Sequence, residues 1–209
     1  NFTNEGKKDG PWVYYYPNGE VKGKEIYHNG SQEGEETYYF SNGAISSHSW
    51  YKDNAPEGES VVYLFCGSVR TITHYHAGKE EGKKINFTMH GDTSLLENYV
   101  EGQQQGEVRS WNDGKIDVIA VYKDGKLEGP YKKYYPNGLL KMEGIYHAGE
   151  QEGDWKQYHS NGRLKSIQHF VDDKSEGEYK EYFDNGTLST EFVAKGGKTY
   201  GDAKYYDYD

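Results

Sequence analysis

Histidines and carboxylates are the side chains of this sequence with the widest chemical reach. His74 and His76 stand two residues apart, so a strand would place both on one face, and His28, His76 and His147 recur at equivalent places. A metal site needs ligands converging at about 2 Å with supporting partners behind them. Equivalent places in neighbouring hairpins lie two strands apart, roughly 9–10 Å. That is too far for imidazoles to share an ion, so no metal is expected and these histidines read as solvated turn positions. Glu33, Glu57, Glu81, Glu128, Glu152 and Glu176 form a second set, each just before a glycine. Two carboxylates across a cleft can do general acid–base chemistry, but catalysis needs one special place and this set is periodic. Turn solvation accounts for it, and no catalytic residue is assigned. Cys66 is the only cysteine and has no internal disulfide partner. Nucleophile elbows, Cys–His pairs and phosphate-binding glycine loops are not found, so no enzyme activity and no cofactor are expected. Four N-x-S/T sequons start at Asn1, Asn29, Asn86 and Asn185, two of them on Asn-Gly pairs that the turns supply.

The elements that position these side chains follow from the glycines. Gly10, Gly34, Gly58, Gly82, Gly106, Gly129, Gly153, Gly177 and Gly201 are spaced by 24 residues, with a single step of 23. A second register holds Gly19, Gly43, Gly67, Gly91, Gly114, Gly138, Gly162 and Gly186; a third holds Gly30, Gly78, Gly102, Gly125, Gly149 and Gly197, with Asn54 and Asp173 in the same place. Three coincident registers mean tandem repeats. They divide 1–209 into one array with a half-unit at 1–9, eight units starting near 10, 34, 58, 82, 106, 129, 153 and 177, and a stub at 201–209.

One unit reads GPYKKYYPNGLLKMEGIYHAGEQE, residues 129–152. An aromatic run enters Pro-Asn-Gly, and a second run leaves it, which is a β-hairpin. Asn18, Asn42, Asn137, Asn161 and Asn185 before their glycines predict tight turns with positive φ, which asparagine and glycine both tolerate. Cys66, His90 and Asp113 take the asparagine's place in the middle units. Two aromatic columns run through the array, Tyr15 to Tyr206 and Tyr27 to Phe170, with an aliphatic column at Val21, Ile45, Val69, Ile116, Leu140, Leu164 and Leu188. The prediction is an all-β chain, an elongated single-layer antiparallel meander of seventeen or so strands, with tyrosine rings stacked from strand to strand. Neighbouring residues on a strand face opposite ways, so Tyr14 and Tyr16 oppose Tyr15. The aromatic-rich face near Trp12, Tyr14, Tyr16, Tyr38 and Phe40 is the expected binding surface, and Trp111 in the irregular middle is the second.

Composition fits an ordered chain with a thin core. Mean hydropathy is −1.07 and only 33% of residues are hydrophobic, yet 16% are aromatic, and rings bury large areas where aliphatics are scarce. The net charge of −10 disfavours nucleic acid and anionic lipid. No stretch approaches the roughly 18 apolar residues of a membrane-spanning helix. The chain starts at Asn1 rather than Met, which fits a removed leader as well as a trimmed chain; secretion or the cell envelope is expected ahead of the cytoplasm.

The pattern Gly-x-Trp/Tyr-x-x-Tyr-Tyr-x-Asn-Gly-x-Leu, as in Gly129–Leu140 and Gly153–Leu164 and echoed at Gly10–Gly19 and Gly177–Gly186, resembles the MORN-repeat variant found in many bacterial proteins. Units three to five depart from it, with Ser60, Lys84 and Val108 where other units have Trp12, Tyr131, Trp155 or Tyr179, and so are the natural place for specialisation. The resemblance implies a β-hairpin array used for protein–protein or membrane attachment, and an antitoxin-like role for some members. The expected function is a non-catalytic scaffold with a protein partner, antitoxin-like or envelope-associated. The alternatives are a fibre-forming protein that self-associates through its terminal strands, since Tyr205, Tyr206 and Tyr208 begin a further hairpin, and a cell-wall glycan-binding module.

Overall fold

A computed structural model describes residues 2–208, so the sequon at Asn1 and the last residue of the 201–209 stub lie outside the described residues. Among the described residues there are twenty-one strands and no helix, and hence no helix long and apolar enough to cross a membrane. Seventeen strands have six to nine residues; the other four, Ser31–Gln32, Ala55–Pro56, Lys79–Glu80 and Gln103–Gln104, have two. The chain forms two compact units, one ending at Gln103 and the other starting at Gln104. Each is an antiparallel meander in which a strand pairs with the strands before and after it.

The repeat is exact in register. In the first unit Gly10 faces Tyr27, Gly34 faces Tyr51, Gly58 faces Tyr75 and Gly82 faces Tyr99. The middle hairpins keep this geometry despite their irregular sequence, because register is set by turn length and not by the identity of the facing side chains.

Each unit has two unlike turns. At Pro17-Asn18-Gly19 the Tyr16 N–H donates to Glu20 C=O at 2.8 Å and the Gly19 N–H to Tyr16 C=O at 2.9 Å, a three-residue hairpin loop. Gly19 alone has positive φ here, 87°. The expected left-handed asparagine is therefore corrected: Asn18, Asn42, Asn137, Asn161 and Asn185 act through their side chains. Each Oδ1 accepts the backbone N–H two residues on, at 2.9–3.1 Å. Cys66 keeps part of that function, since the Ser68 N–H bonds to its sulfur and holds the exposed thiol below its ordinary pKa. The 23-residue step is explained at Asp113-Gly114, where both residues have positive φ and Asn112 faces Lys115. Losing one residue turns the three-residue loop into a two-residue one.

The other turn carries two positive-φ residues, as at Ala77 and Gly78. The first glycine register, expected at turns, instead opens strands at Gly10, Gly34, Gly58, Gly82 and Gly106 and lies inside them, at a bulge, from Gly129 on. Between Gln168 and His169 the partner strand takes three steps, from Tyr179 to Glu176, and Gly177 has φ of 73°.

The carboxylate set has a structural task that turn solvation misses. The N–H of the first positive-φ residue in this second turn points away from its own hairpin. It is caught by the side chain twenty residues upstream: Asn29 by Asp9, Asp53 by Glu33, Ala77 by Glu57, Glu101 by Glu81, Ala148 by Glu128, Asp172 by Glu152 and Gly196 by Glu176, at 2.6–3.3 Å. In the short unit Gln105 does the same for Asp124 at 2.7 Å. A charged acceptor makes this bond stronger than a neutral one would. His76 and His147 join the same carboxylates at 3.0 Å, and His28 reaches Asp9 at 3.6 Å, which accounts for the histidine column.

The core is thin, as composition predicts. Among the described residues no large side chain is fully buried, and the buried apolar residues are Val61, Val108, Ala120, Trp155 and Ala194. Rings meet mostly edge-on and not in a stacked ladder: Tyr146 meets Trp155 at 5.0 Å and 78°, and among the described residues only Tyr179 and Phe192 stack, at 4.5 Å and 22°. Edge-on contact suits the ring quadrupole better than face-to-face overlap.

Candidate functional site

The first two hairpins concentrate the titratable chemistry. Alternation along Gly10–Tyr15 puts Trp12 and Tyr14 on one face, opposite Glu25 and Gly23 of the strand Val21–His28. Tyr38 of the strand Gly34–Tyr39 faces Gly23 from the other side. A Cβ on residue 23 would lie 2.6 Å from the Tyr38 ring, so glycine is what lets that ring cross the strand and reach Glu25. The buried Glu25 carboxylate then accepts three phenol hydrogens, from Tyr38, from Tyr14 at 2.7 Å and from Tyr27 at 2.7 Å.

Lys8 closes this cluster. Its Nζ donates to Tyr14 Oη at 2.7 Å and Tyr27 Oη at 3.2 Å. It also lies 4.7 Å from the Trp12 ring centroid, 5.3 Å from Tyr14 and 4.3 Å from Tyr27. The electrostatics follow. Burial pushes the Glu25 carboxyl up, but the phenols of Tyr38, Tyr14 and Tyr27 together with Lys8 outweigh it, and its pKa falls below the ordinary value. Burial and the Glu25 carboxylate push Tyr27 up to about 12 and raise Tyr14 and Tyr38 as well. Glu36, half-buried beside them, is raised by burial although Gln32 donates to it at 2.7 Å.

The opposite face of the same hairpins carries exposed apolar side chains. Val13, Ile26 and Trp50 are 40%, 42% and 50% exposed. Ile26 and Trp50 both approach Gly34, and a groove of about 290 Å³ lies beside Val13, Ile26, Thr37 and Tyr39.

Of the residues expected to bind, Trp12, Tyr14 and Tyr38 come together around Glu25, all half-buried. Tyr16 and Phe40 lie further along, at the turn end: Tyr16 Oη donates to Tyr39 C=O at 2.6 Å, and Phe40 meets Phe65 edge-on at 5.3 Å. Trp111 belongs to the second unit, where it faces Ile116 at a bulge. Sequence reasoning missed Lys8, Glu25 and Tyr27 as members of the cluster. Glycine at position 23, in the middle of a strand, was the available signal. In the second unit the equivalent place is apolar: Trp155, only 5% exposed, lies over Gly144 and beside Tyr131 and Tyr146. The Nε1 atoms of Trp12 and Trp155 are buried without an acceptor among the described residues. No group of three or more His, Cys, Asp or Glu among the described residues could hold a metal ion. Asn86, the sequon inside a strand, is half-buried and accepts a hydrogen bond from Thr71 Oγ1 at 2.9 Å.

Known proteins add the family. The model of the MORN repeat variant matches residues 8–29, 127–148, 151–172 and 175–192. The chain carries MORN-variant repeats. The first MORN-variant match holds most of the Glu25 cluster, from Lys8 to Tyr27, and the other three fall in the second unit. The unmatched stretch between them contains Ser60, Lys84 and Val108, where the aromatic of the MORN-variant pattern is lost although the hairpin registers persist. No curated protein matches the chain. Among the solved structures that match it are these two. One, titled crystal structure of GtfA/B complex bound to UDP and GlcNAc, has 12% identity over 55% of this chain and 22% of that chain, with a TM-score of 0.22. The other, titled crystal structure of TcdB2-TccC3-Cdc42, has 10% identity over 90% of this chain and 14% of that chain, with a TM-score of 0.18. The chain thus spans under a quarter of either length, and neither likeness carries an argument.

Proposed function

We propose that this MORN-variant chain is a non-catalytic scaffold that holds a protein partner on the face of the first unit bearing Val13, Ile26 and Trp50. The observation that carries the reading is the half-exposed Trp50 indole beside Ile26, on a sheet face whose neighbouring groove has mixed polar and apolar walls. An exposed tryptophan in such a setting is the side chain that most often dominates a protein interface. The non-catalytic reading is supported by the use of the acidic side chains: the periodic carboxylates bond turn amides, and Glu25 is sealed by three phenols. Attachment to protein is also what the repeat family implies.

The test is a photo-crosslinking residue at position 13, on the same face, in the native host, followed by purification of the captured protein and measurement of its Kd with the unmodified chain. Trp50→Ala should weaken that Kd at least tenfold, the effect of losing a hot spot, and leave the urea midpoint unchanged. A Kd indifferent to Trp50→Ala and to Ile26→Asp would overturn the proposal.

A further inference from the structure

The Lys8 ammonium is surrounded as a bound ligand would be. Three aromatic rings lie within 5.3 Å of Nζ, two phenol oxygens accept its hydrogens, and the Glu25 carboxylate stands behind those phenols. Ring faces attract cations electrostatically, and cages of this composition recognise alkylammonium groups. The rest of the repeat does not require a cation at this place. The equivalent residues downstream, whose carbonyls accept the same turn N–H as the Lys8 carbonyl, are Gln32, Pro56, Glu80, Gln104, Leu127, Gln151 and Ser175. The hairpins with Gln, Leu or Ser there keep their registers, so Lys8 is not a condition of the fold.

The lysine belongs to the segment before the first long strand. Outside the cage that segment is tied to the sheet by the Gly30 N–H to Lys8 C=O bond at 2.8 Å, the Asn29 N–H and His28 on Asp9 at 3.0 and 3.6 Å, Lys7 against Gly30 and an edge contact of Phe2 on Trp12 at 5.0 Å. Phe2 is 66% exposed and Lys8 itself is half-buried, so the segment that carries the lysine lies at the surface.

We propose that Trp12, Tyr14, Tyr27 and Glu25 form an alkylammonium-binding site that Lys8 fills in cis and that an external amine enters when Lys8 withdraws. This goes beyond the scaffold reading, which rests on the opposite face, so either can fail alone. The shared chemistry is a single cationic nitrogen bearing alkyl groups, whether on a lysine side chain of a peptide or on a free quaternary amine. An occupant in cis lowers the apparent affinity for an external one by the fraction of sites it leaves open. Removing Lys8 therefore strengthens external binding, where a purely structural lysine would only weaken the fold.

The experiment titrates the full chain with tetramethylammonium chloride against sodium chloride at equal ionic strength and reads tryptophan fluorescence. The unaltered chain, Lys8→Ser and Lys8→Ser/Trp12→Phe are compared, so that the signals of Trp50, Trp111 and Trp155 cancel. Lys8→Ser should bind saturably and at least tenfold more tightly than the unaltered chain. Trp12→Phe should remove the signal, and Glu25→Gln should weaken binding at least fivefold. Choline and acetyl-Gly-Lys-Gly-amide form two further arms: tighter binding of the peptide assigns the site to a protein-borne lysine, and tighter binding of choline assigns it to a free amine. Circular dichroism establishes folding, and Lys8→Gln, the residue found at Gln32, replaces Lys8→Ser if the serine variant does not fold. A folded variant lacking Lys8 that shows no response beyond the salt control, or whose binding ignores Glu25→Gln, overturns the proposal.

Discussion

The indole of Trp155 packs onto the backbone of Gly144, and a methyl group on residue 144 would occupy the space of its ring atoms. Gly144→Ala should therefore cost about 1–3 kcal/mol as an overpacking substitution, and Trp155→Ala about 3–5 kcal/mol through loss of a buried ring. Trp50→Ala, on an exposed ring, should stay within about 0.5 kcal/mol of the parent. Urea denaturation of the three variants measures the contrast. A Gly144→Ala protein as stable as the parent would mean that the ring moves aside without cost.

Acid should loosen the turns through their carboxylate clasps. The Ala77 N–H and His76 hold the Glu57 pKa below its ordinary value, and the Ala148 N–H and His147 do the same to Glu128. A carboxylate depressed in the folded state adds stability that is present above its unfolded pKa, about 4.3, and is lost as pH falls through the lower folded value. The urea midpoint should thus fall as pH drops below about 4.3. Glu57→Gln with Glu128→Gln should flatten that acid limb. Glu36 works in the opposite sense, because burial raises its pKa.

Alkali should act on the phenol network. Tyr27, Tyr158 and Tyr179 are pushed up to about 12 from an ordinary value of 10.0, chiefly by burial and then, for Tyr27 and Tyr158, by the hydrogen bonds to Glu25 and Glu143. A raised folded pKa gives stability that is complete below the unfolded pKa and lost as pH rises through the folded one. The chain should lose stability between pH 10 and about 12. Ultraviolet titration should show a late-ionising class of tyrosines that shrinks in Glu25→Gln.

The turn asparagines offer a local test. Asn137 accepts the Leu139 N–H at 3.0 Å and donates to Ser160 C=O at 2.8 Å, whereas among the described residues Asn42 has only the first bond, from the Ala44 N–H, at 3.1 Å. At about 0.5–1.5 kcal/mol per hydrogen bond, Asn137→Ala should cost about twice as much as Asn42→Ala. Thermal midpoints of the two variants decide it.

Much of the hairpin repeat was legible because its causes are local. The Gly19 register demands positive φ in a short loop, and a fixed spacing between such loops sets strand length and register whatever the side chains between them. The single 23-residue step was visible as well, and the Asp113-Gly114 turn shows its cause. The role of Asn18 is not legible in the sequence, because an Asn-Gly pair fits both a left-handed asparagine and a side-chain acceptor, and the distinction depends on loop length.

The site was legible only in fragments. Trp12, Tyr14 and Tyr38 could be named from their aromatic character, but Glu25 and Lys8 look like ordinary surface residues until three hairpin segments meet around them. The carboxylate column was recognised as periodic, yet its target lies twenty residues away in the next turn, which spacing alone does not identify. Trp50 and Trp155 are the same residue type with tenfold different exposure. The hydrogen bonds that close the Asn-Gly loop act within four or five residues and so can be read along the chain. The surroundings of a side chain on a single-layer sheet come from the strands on either side, and those become neighbours only once the meander has folded.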